Sequence, residues 1–318
     1  MNLVTRIDLG IATFRRPALL SKLLDSLAVL NVPTNHGLRV IVADNDAEQS
    51  AKEVIESRRS DFPFEILYLT VEARGISYAR NSILDSIESD YIGFLDDDET
   101  VGPDWLKDML GAIGTDNADV VFGPVKGILP EDAPVWARDH PSFRRPSKPS
   151  GTGVSFGATN NALFKSKIVV QDQMRFSSAY ALTGGEDTEF FSRVHDQGYK
   201  MVWCADAKAE ENIPIERLRI RWVLLRGFRG GQSYFRVFQA NRPIHKQATF
   251  VLRAMVLSLT TIPIIPVLIP FSTPLAVRMT TRIFGWFGQI SAFVFPSWNY
   301  QEYASQSYRP VQASDESR

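Results

Sequence analysis

YIGFLDDDE (residues 91–99) is an apolar run that drives straight into four carboxylates. Adjacent acids repel one another, so a chain that needs only to fold has little use for Asp96, Asp97, Asp98 and Glu99 at the end of a strand. Alternation along an extended chain puts Asp96 and Asp98 on one side and turns Asp97 away, while Glu99 has no evident role. Two carboxylates so placed can share a hard divalent cation with phosphate oxygens. The alternative is a solvated turn that caps the helix beginning at Pro103, with Thr100 or Asp104 as the cap.

The flanking sequence alternates strand and helix signals. RIDLGIATF (6–14), LRVIVADN (38–45) and FEILYLTV (64–71) read as strands, and ADVVFGPV (118–125) as another. Between them lie the helix PALLSKLLDSLAVL (17–30), opened by Pro17, and the polar helix AEQSAKEVIESRRS (47–60). GISYARNSILDSI (75–87) and PDWLKDMLGAI (103–113) are further helices. This order predicts an α/β fold, an open parallel sheet with helices on both faces. Ligands of such sheets bind at the carboxyl ends of strands, where Asp44 and Asp96 fall. Residues 129–153, rich in Pro and charge, read as one long functional or mobile loop.

The 318 residues suffice for one large domain or two smaller ones, and the lone Cys204 excludes an intrachain disulfide. The first residues lack a basic segment followed by a long apolar core, so no signal peptide is expected. The net charge of -1 hides a division. Residues 212–318 hold 13 Lys and Arg against 4 Asp and Glu, and residues 1–211 hold 22 against 32. The basic part adjoins the most apolar stretch, which points to a membrane surface and away from nucleic acid. On a helical wheel Arg219, Arg226, Arg229 and Arg236 share one face opposite Ile220, Leu224 and Phe228, as in a helix that lies on a membrane or holds the diphosphate of a lipid-linked acceptor. Gly227, Gly230 and Gly231 weaken that helix. Residues 254–271 are uncharged but broken by Pro263, Pro266 and Pro270, and 279–295 form a second apolar segment. A shallow helical hairpin is expected, with two true spans as the alternative.

The segments IATFRRPALLSKLLDSL, VIVADND, GISYARNSIL, YIGFLDDDE, TNNALF and GEDTEFFSRVHDQGYKMVW resemble, in order and spacing, family 2 glycosyltransferases of the GT-A fold. The continuation ENIPIERLRIRWVLLRGFRGGQSY is similar to the bacterial exopolysaccharide branch, of the succinoglycan glucosyltransferase kind. The resemblance implies a GT-A domain over 1–211, a basic connector over 212–247, membrane-associated helices over 248–296 and a tail over 297–318.

It also implies roles. Asp44 would accept a hydrogen bond from the uracil of a UDP-sugar, and Thr13 would line the nucleotide pocket. Asp96 and Asp98 match the DxD pair, with Asp98 holding Mn2+ or Mg2+ on the diphosphate and Asp96 contacting ribose or sugar. Arg80 would face the diphosphate or orient an acid, and Asn160 and Asn161 would hold a sugar or satisfy turn backbone. Asp187 would be the base that deprotonates the acceptor hydroxyl, with Glu186 raising its pKa. Where many relatives carry a metal-binding His, this chain has Glu210-Glu211. Trp222 retains part of the Q-x-x-R-W motif of processive synthases and could stack on a sugar, but Leu218 replaces the glutamine.

The expected activity is inverting transfer of one hexose, glucose by the resemblance, from a UDP-sugar to a lipid-linked saccharide in surface polysaccharide assembly. It is expected at the cytoplasmic face of a bacterial plasma membrane, with other polysaccharide-assembly proteins as further partners. A processive synthase and a catalytically silent scaffold are the alternatives.

Overall fold

The computed structural model describes residues 5–145 and 147–301. The first part alternates as β1 (Thr5–Thr13), α1 (Pro17–Ala28), β2 (His36–Asp44), α2 (Lys52–Arg58), β3 (Glu65–Thr70), α3 (Ile76–Asp85) and β4 (Tyr91–Asp96). Val40, Ile41, Val42 and Ala43 are all buried, as a strand covered on both faces requires. Leu20, Leu23, Leu24 and Leu27 form the buried stripe of α1.

Then follow β5 (Glu99–Val101), α4 (Trp105–Asp116), β6 (Val120–Phe122), β7 (Val125–Ile128), α5 (Val135–Arg138), β8 (Ala162–Lys165), α6 (Lys167–Val170), α7 (Glu186–Asp196), β9 (Met201–Trp203) and β10 (Ala209–Asn212). The main sheet has seven strands in the order β3-β2-β1-β4-β8-β6-β9. Its first four are parallel, but β8 runs antiparallel to both β4 and β6, so the sheet is mixed. A three-stranded sheet, β5-β10-β7, stands beside it and sets Glu211 opposite Glu99.

Two expectations are corrected here. The helix expected over 47–60 begins only at Lys52, because the Asp44 carboxylate accepts the N–H groups of Asp46 and Ala51 and holds the intervening chain as a turn. Residues 129–153 do not form one long loop free of the core. They carry α5, and Trp136 and Phe143 are buried with Ile213, Leu218 and Val223. This cluster explains why an apolar residue stands at 218.

Four helices follow among the described residues: α8 (Ile220–Phe238), α9 (Ile244–Thr261), α10 (Ile264–Leu268) and α11 (Thr273–Val294). α9 and α11 pack against each other, with the prolines confining α10 to a short turn between them. Among the described residues no helix is long and apolar enough to cross a membrane.

The glycines of α8 have a use that helix propensity does not suggest. A methyl group on Gly231 would lie 1.9 Å from the Gly285 carbonyl oxygen, and one on Gly288 would lie 1.9 Å from that of Phe228. α8 and α11 therefore meet backbone to backbone. The tail expected over 297–318 is described only as far as Gln301.

Candidate active site

A cavity of about 540 Å³ opens at the carboxyl ends of β1 and β4 and the start of α7. Thr13, Arg80, Asp96, Asp98, Asn160, Asn161, Glu186, Asp187 and Trp222 all line it. Asp44, expected to meet the uracil, does not. It is fully buried, and its oxygens accept from Ala51, Asp46 and the Tyr68 hydroxyl. Its neighbour Asn45 reaches the cavity instead. Asp44 is thus a structural tie for the loop after β2, and burial raises its carboxyl pKa.

The turn after β4 uses all four acids. Asp97 is buried rather than turned to solvent, accepting from the Thr13 hydroxyl at 2.8 Å and from Arg16 at 3.0 Å. Glu99 is also buried and accepts the backbone N–H of Asp96 at 3.0 Å, which fixes the direction of the chain. Burial, with Asp96 and Asp98 nearby, drives the Glu99 pKa well above the ordinary carboxylate range. Asp96 and Asp98 remain on the cavity wall. Burial, against the pull of Arg80, raises Asp96 to about 6.

Arg80, on α3, joins the two ends of the site. It ion-pairs with Glu186 and, at 3.3 Å, with Asp96. It thus contacts two acids of the site and is itself on the cavity wall. Glu186 is buried and one of its oxygens, Oε2, has no hydrogen-bond partner. Burial pushes its pKa to about 7, opposed by Arg80 and reinforced by Asp187. Gly184 and Gly185 precede it with φ of 74° and 90°, which favour glycine. A side chain on Gly185 would also meet Ser233 of α8 at 2.9 Å. Asp187 sits in the first turn of α7, where the helix dipole favours an anion, and accepts the N–H of Thr188 at 2.6 Å.

Other expectations shift. The Asn161 amide is spent on Trp105, Pro124 and Ala207, so it ties the turn and has no donor left for a sugar. Asn160 lies on the cavity wall. Trp222 stacks on Phe143 at 5.7 Å, with the guanidiniums of Arg217 and Arg226 over its ring at 5.7 and 5.2 Å. It is thus packed into the cavity wall between Phe143 and the two arginines.

Part of the basic face of α8 turns inward. Arg226 and Arg229 line the cavity, and Arg236 donates to the Thr183 hydroxyl at 2.8 Å and lies over Tyr180. Of that cationic side, Arg226 and Arg229 meet the site, Arg236 packs beside it and Arg219 is exposed. Burial among Arg229, Arg145 and Arg217 lowers Arg226 to about 10. Arg16 and Arg217 were not singled out in the sequence. Arg16 follows the end of β1 by three residues, which was a usable signal; Arg217 was hidden in a basic run.

For a divalent cation, no group of three or more His, Cys, Asp or Glu suited to it occurs among the described residues. Two carboxylates do converge. Asp98 and Glu211 share the Arg217 guanidinium, with Asp98 at 3.2 Å. One cation already stands between them, and a pair of carboxylates completed by phosphate oxygens suits Mg2+ or Mn2+. The donor set therefore fits such an ion.

Residues 8–171 match the family described as Glycosyl transferase family 2. Succinoglycan biosynthesis protein ExoM of Rhizobium meliloti is 39% identical over 236 residues, 74% of this chain and 76% of that protein. Hyaluronan synthase of Pasteurella multocida is 32% identical over 124 residues, 38% of this chain and 12% of that one. Among solved structures, mannosyltransferase PcManGT of Pyrobaculum calidifontis, in complex with GDP-Man and Mn2+, aligns with a TM-score of 0.63 at 14% identity. That alignment covers 92% of this chain and 88% of the other. S. aureus TarS 1-349 in complex with UDP-GlcNAc aligns at 0.53 and 14% identity, covering 91% and 92%. At such identity these structures share the fold.

Proposed function

The chain belongs to glycosyl transferase family 2, and from that premise we propose that it moves one hexose from a UDP-sugar to a lipid-linked saccharide, with inversion, during exopolysaccharide assembly. The observation that carries this reading is the meeting, in one cavity, of Asp96 and Asp98 from the end of β4 with Asp187 from the start of α7. The succinoglycan relative supports the process, and the UDP-GlcNAc and GDP-Man complexes of fold relatives support a nucleotide-sugar donor.

In the proposed reaction the acceptor oxygen bonds to the anomeric carbon as the bond to the diphosphate oxygen breaks. The acceptor proton passes to Asp187, and the electron pair leaves with UDP. Asp98 and Glu211 would hold Mn2+ or Mg2+, whose charge offsets that of the departing diphosphate. Arg80 keeps Asp96 and Glu186 in place across the cavity. The test is UDP release from a panel of UDP-sugars with and without lipid-linked acceptors. Acceptor-dependent release is expected; none with any pair would overturn the reading.

Glu186 makes the rate pH-dependent. A carboxyl raised to about 7 keeps its proton below that pH, and its ion pair with Arg80 then weakens. The transfer rate should rise with pH through about 7, and Glu186→Gln should flatten that rise. A rise of the same size in both proteins would remove Glu186 from the account.

The lipid surface is met by the helical hairpin rather than by α8. Leu252, Val256, Leu259, Val267, Ile269 and Phe271 are exposed along α9, α10 and the following turn, Phe271 to 83%. From Arg217 to Gln301 there are 11 Lys and Arg and no acid, a composition suited to anionic lipid. This gives a monotopic attachment at the cytoplasmic face of a bacterial plasma membrane, with 1–211 as the transferase domain and the hairpin within 248–296 as anchor. Paired Leu259→Asp and Phe271→Asp substitutions should lower binding to phosphatidylglycerol vesicles by about tenfold or more. Unchanged cosedimentation would rule the hairpin out as the anchor.

A further inference from the structure

Arg217 stands in the position that the cation would need. It lies in the short turn Ile215–Arg217, five residues beyond the end of β10, and its guanidinium bridges Asp98 and Glu211. The bridge is held by the small sheet. β10 pairs with β5, so the strand bearing Glu211 is fastened beside the turn that bears Asp98. Arg16 reaches Asp98 at 3.2 Å and Asp97 at 3.0 Å, and Arg145 reaches Glu211 at 3.3 Å.

The charges can be counted. Three carboxylates, Asp97, Asp98 and Glu211, face three guanidiniums, Arg16, Arg145 and Arg217. A bare divalent ion entering here meets carboxylates that are already ion-paired and is repelled at short range by the guanidiniums that hold them and by Arg226 and Arg229 on the same wall. It also competes with a fork-shaped donor already fitted to both carboxylates. A nucleotide diphosphate changes the sum, because its negative charges compensate the ion and attract the displaced guanidinium. Arg217 has somewhere to go: it is half-buried, sits on the cavity wall, and lies beside Arg226 on the Trp222 ring.

We infer that Arg217 is an exchangeable counter-ion, which holds Asp98 and Glu211 together until nucleotide and divalent cation enter as a pair, and then turns to the diphosphate. The inference rests on the proposed UDP-sugar and cation chemistry and goes beyond it. It makes cation uptake depend on nucleotide, so that the ion is not retained between turnovers.

The experiment titrates the full chain with Mn2+, following free Mn2+ by electron paramagnetic resonance, with and without UDP. Wild type should bind Mn2+ weakly alone and much more tightly with UDP. Arg217→Gln should bind Mn2+ alone about tenfold more tightly, and UDP should then add less. Glu211→Gln should move the other way, weakening Mn2+ binding in the presence of UDP. Melting temperatures report whether either variant is simply misfolded, and opposite shifts of the two cannot come from general loosening. Unchanged or weaker Mn2+ binding by Arg217→Gln overturns the exchange role. A wild type that takes up no Mn2+ even with UDP overturns the cation reading itself, and the two failures are distinct.

Discussion

Asp187→Asn should lower the transfer rate by about 10²–10⁴-fold while leaving UDP affinity and the melting temperature unchanged. The change is isosteric. The asparagine carbonyl can still accept the N–H of Thr188, so the first turn of α7 keeps its bond. What is lost is a group able to take a proton. Arg80 stays paired with Glu186 and Asp96, and the acids at the end of β4 are untouched, so donor binding has no reason to change. Single-turnover transfer and UDP titration on the same sample separate the two effects. Turnover within a factor of about two of wild type would remove Asp187 from the chemistry, since a general base contributes far more.

Gly231→Ala should destabilise the protein by about 1–3 kcal/mol, against the ~1 kcal/mol gain that helix propensity alone would give. The new methyl group would sit 1.9 Å from the Gly285 carbonyl oxygen, a backbone atom that no rotamer change can remove. α8 and α11 must separate, and the steric term wins. Gly230→Ala is the internal control. It lies in the same helix, a methyl group there meets nothing within 4 Å, and it should stabilise by up to ~1 kcal/mol. Denaturant midpoints of the two variants should therefore move in opposite directions. Shifts of the same sign would mean that the seam between the helices yields easily.

Local pattern revealed the parallel half of the fold because β1 to β4 are short apolar runs separated by good helices. β8 was hidden: ALFK is brief, and its direction depends on a connection through α5 that local sequence does not specify. The acids of the site were visible as unusual charge at a strand end, but their division of labour was not. Alternation sent Asp97 outward, whereas the strand ends at Asp96 and the turn beyond it brings Asp97 onto Thr13 and Arg16. Asp44 and Asn161 were singled out for their chemistry, yet burial commits their polar atoms to backbone and neighbouring side chains. For α8 the wheel separated charged from apolar faces correctly. Which face meets the protein is a tertiary property: Arg226 and Arg229 line the cavity, while Arg219 is exposed. The glycines looked like weakness only while α11 was out of view.

The three-stranded sheet has a consequence for how such a chain can vary. It fastens residues 99–101, 125–128 and 209–212 to one another, so the chain from 129 to 208 departs from the sheet and returns to it. Lengthening or shortening a surface connection along that excursion would leave the spacing of Asp98 and Glu211 as it is. Segments that could face different acceptors are thereby separated from the part that must keep constant dimensions. Relatives could exchange one saccharide for another by insertion and deletion there, with the clasp at its base unchanged.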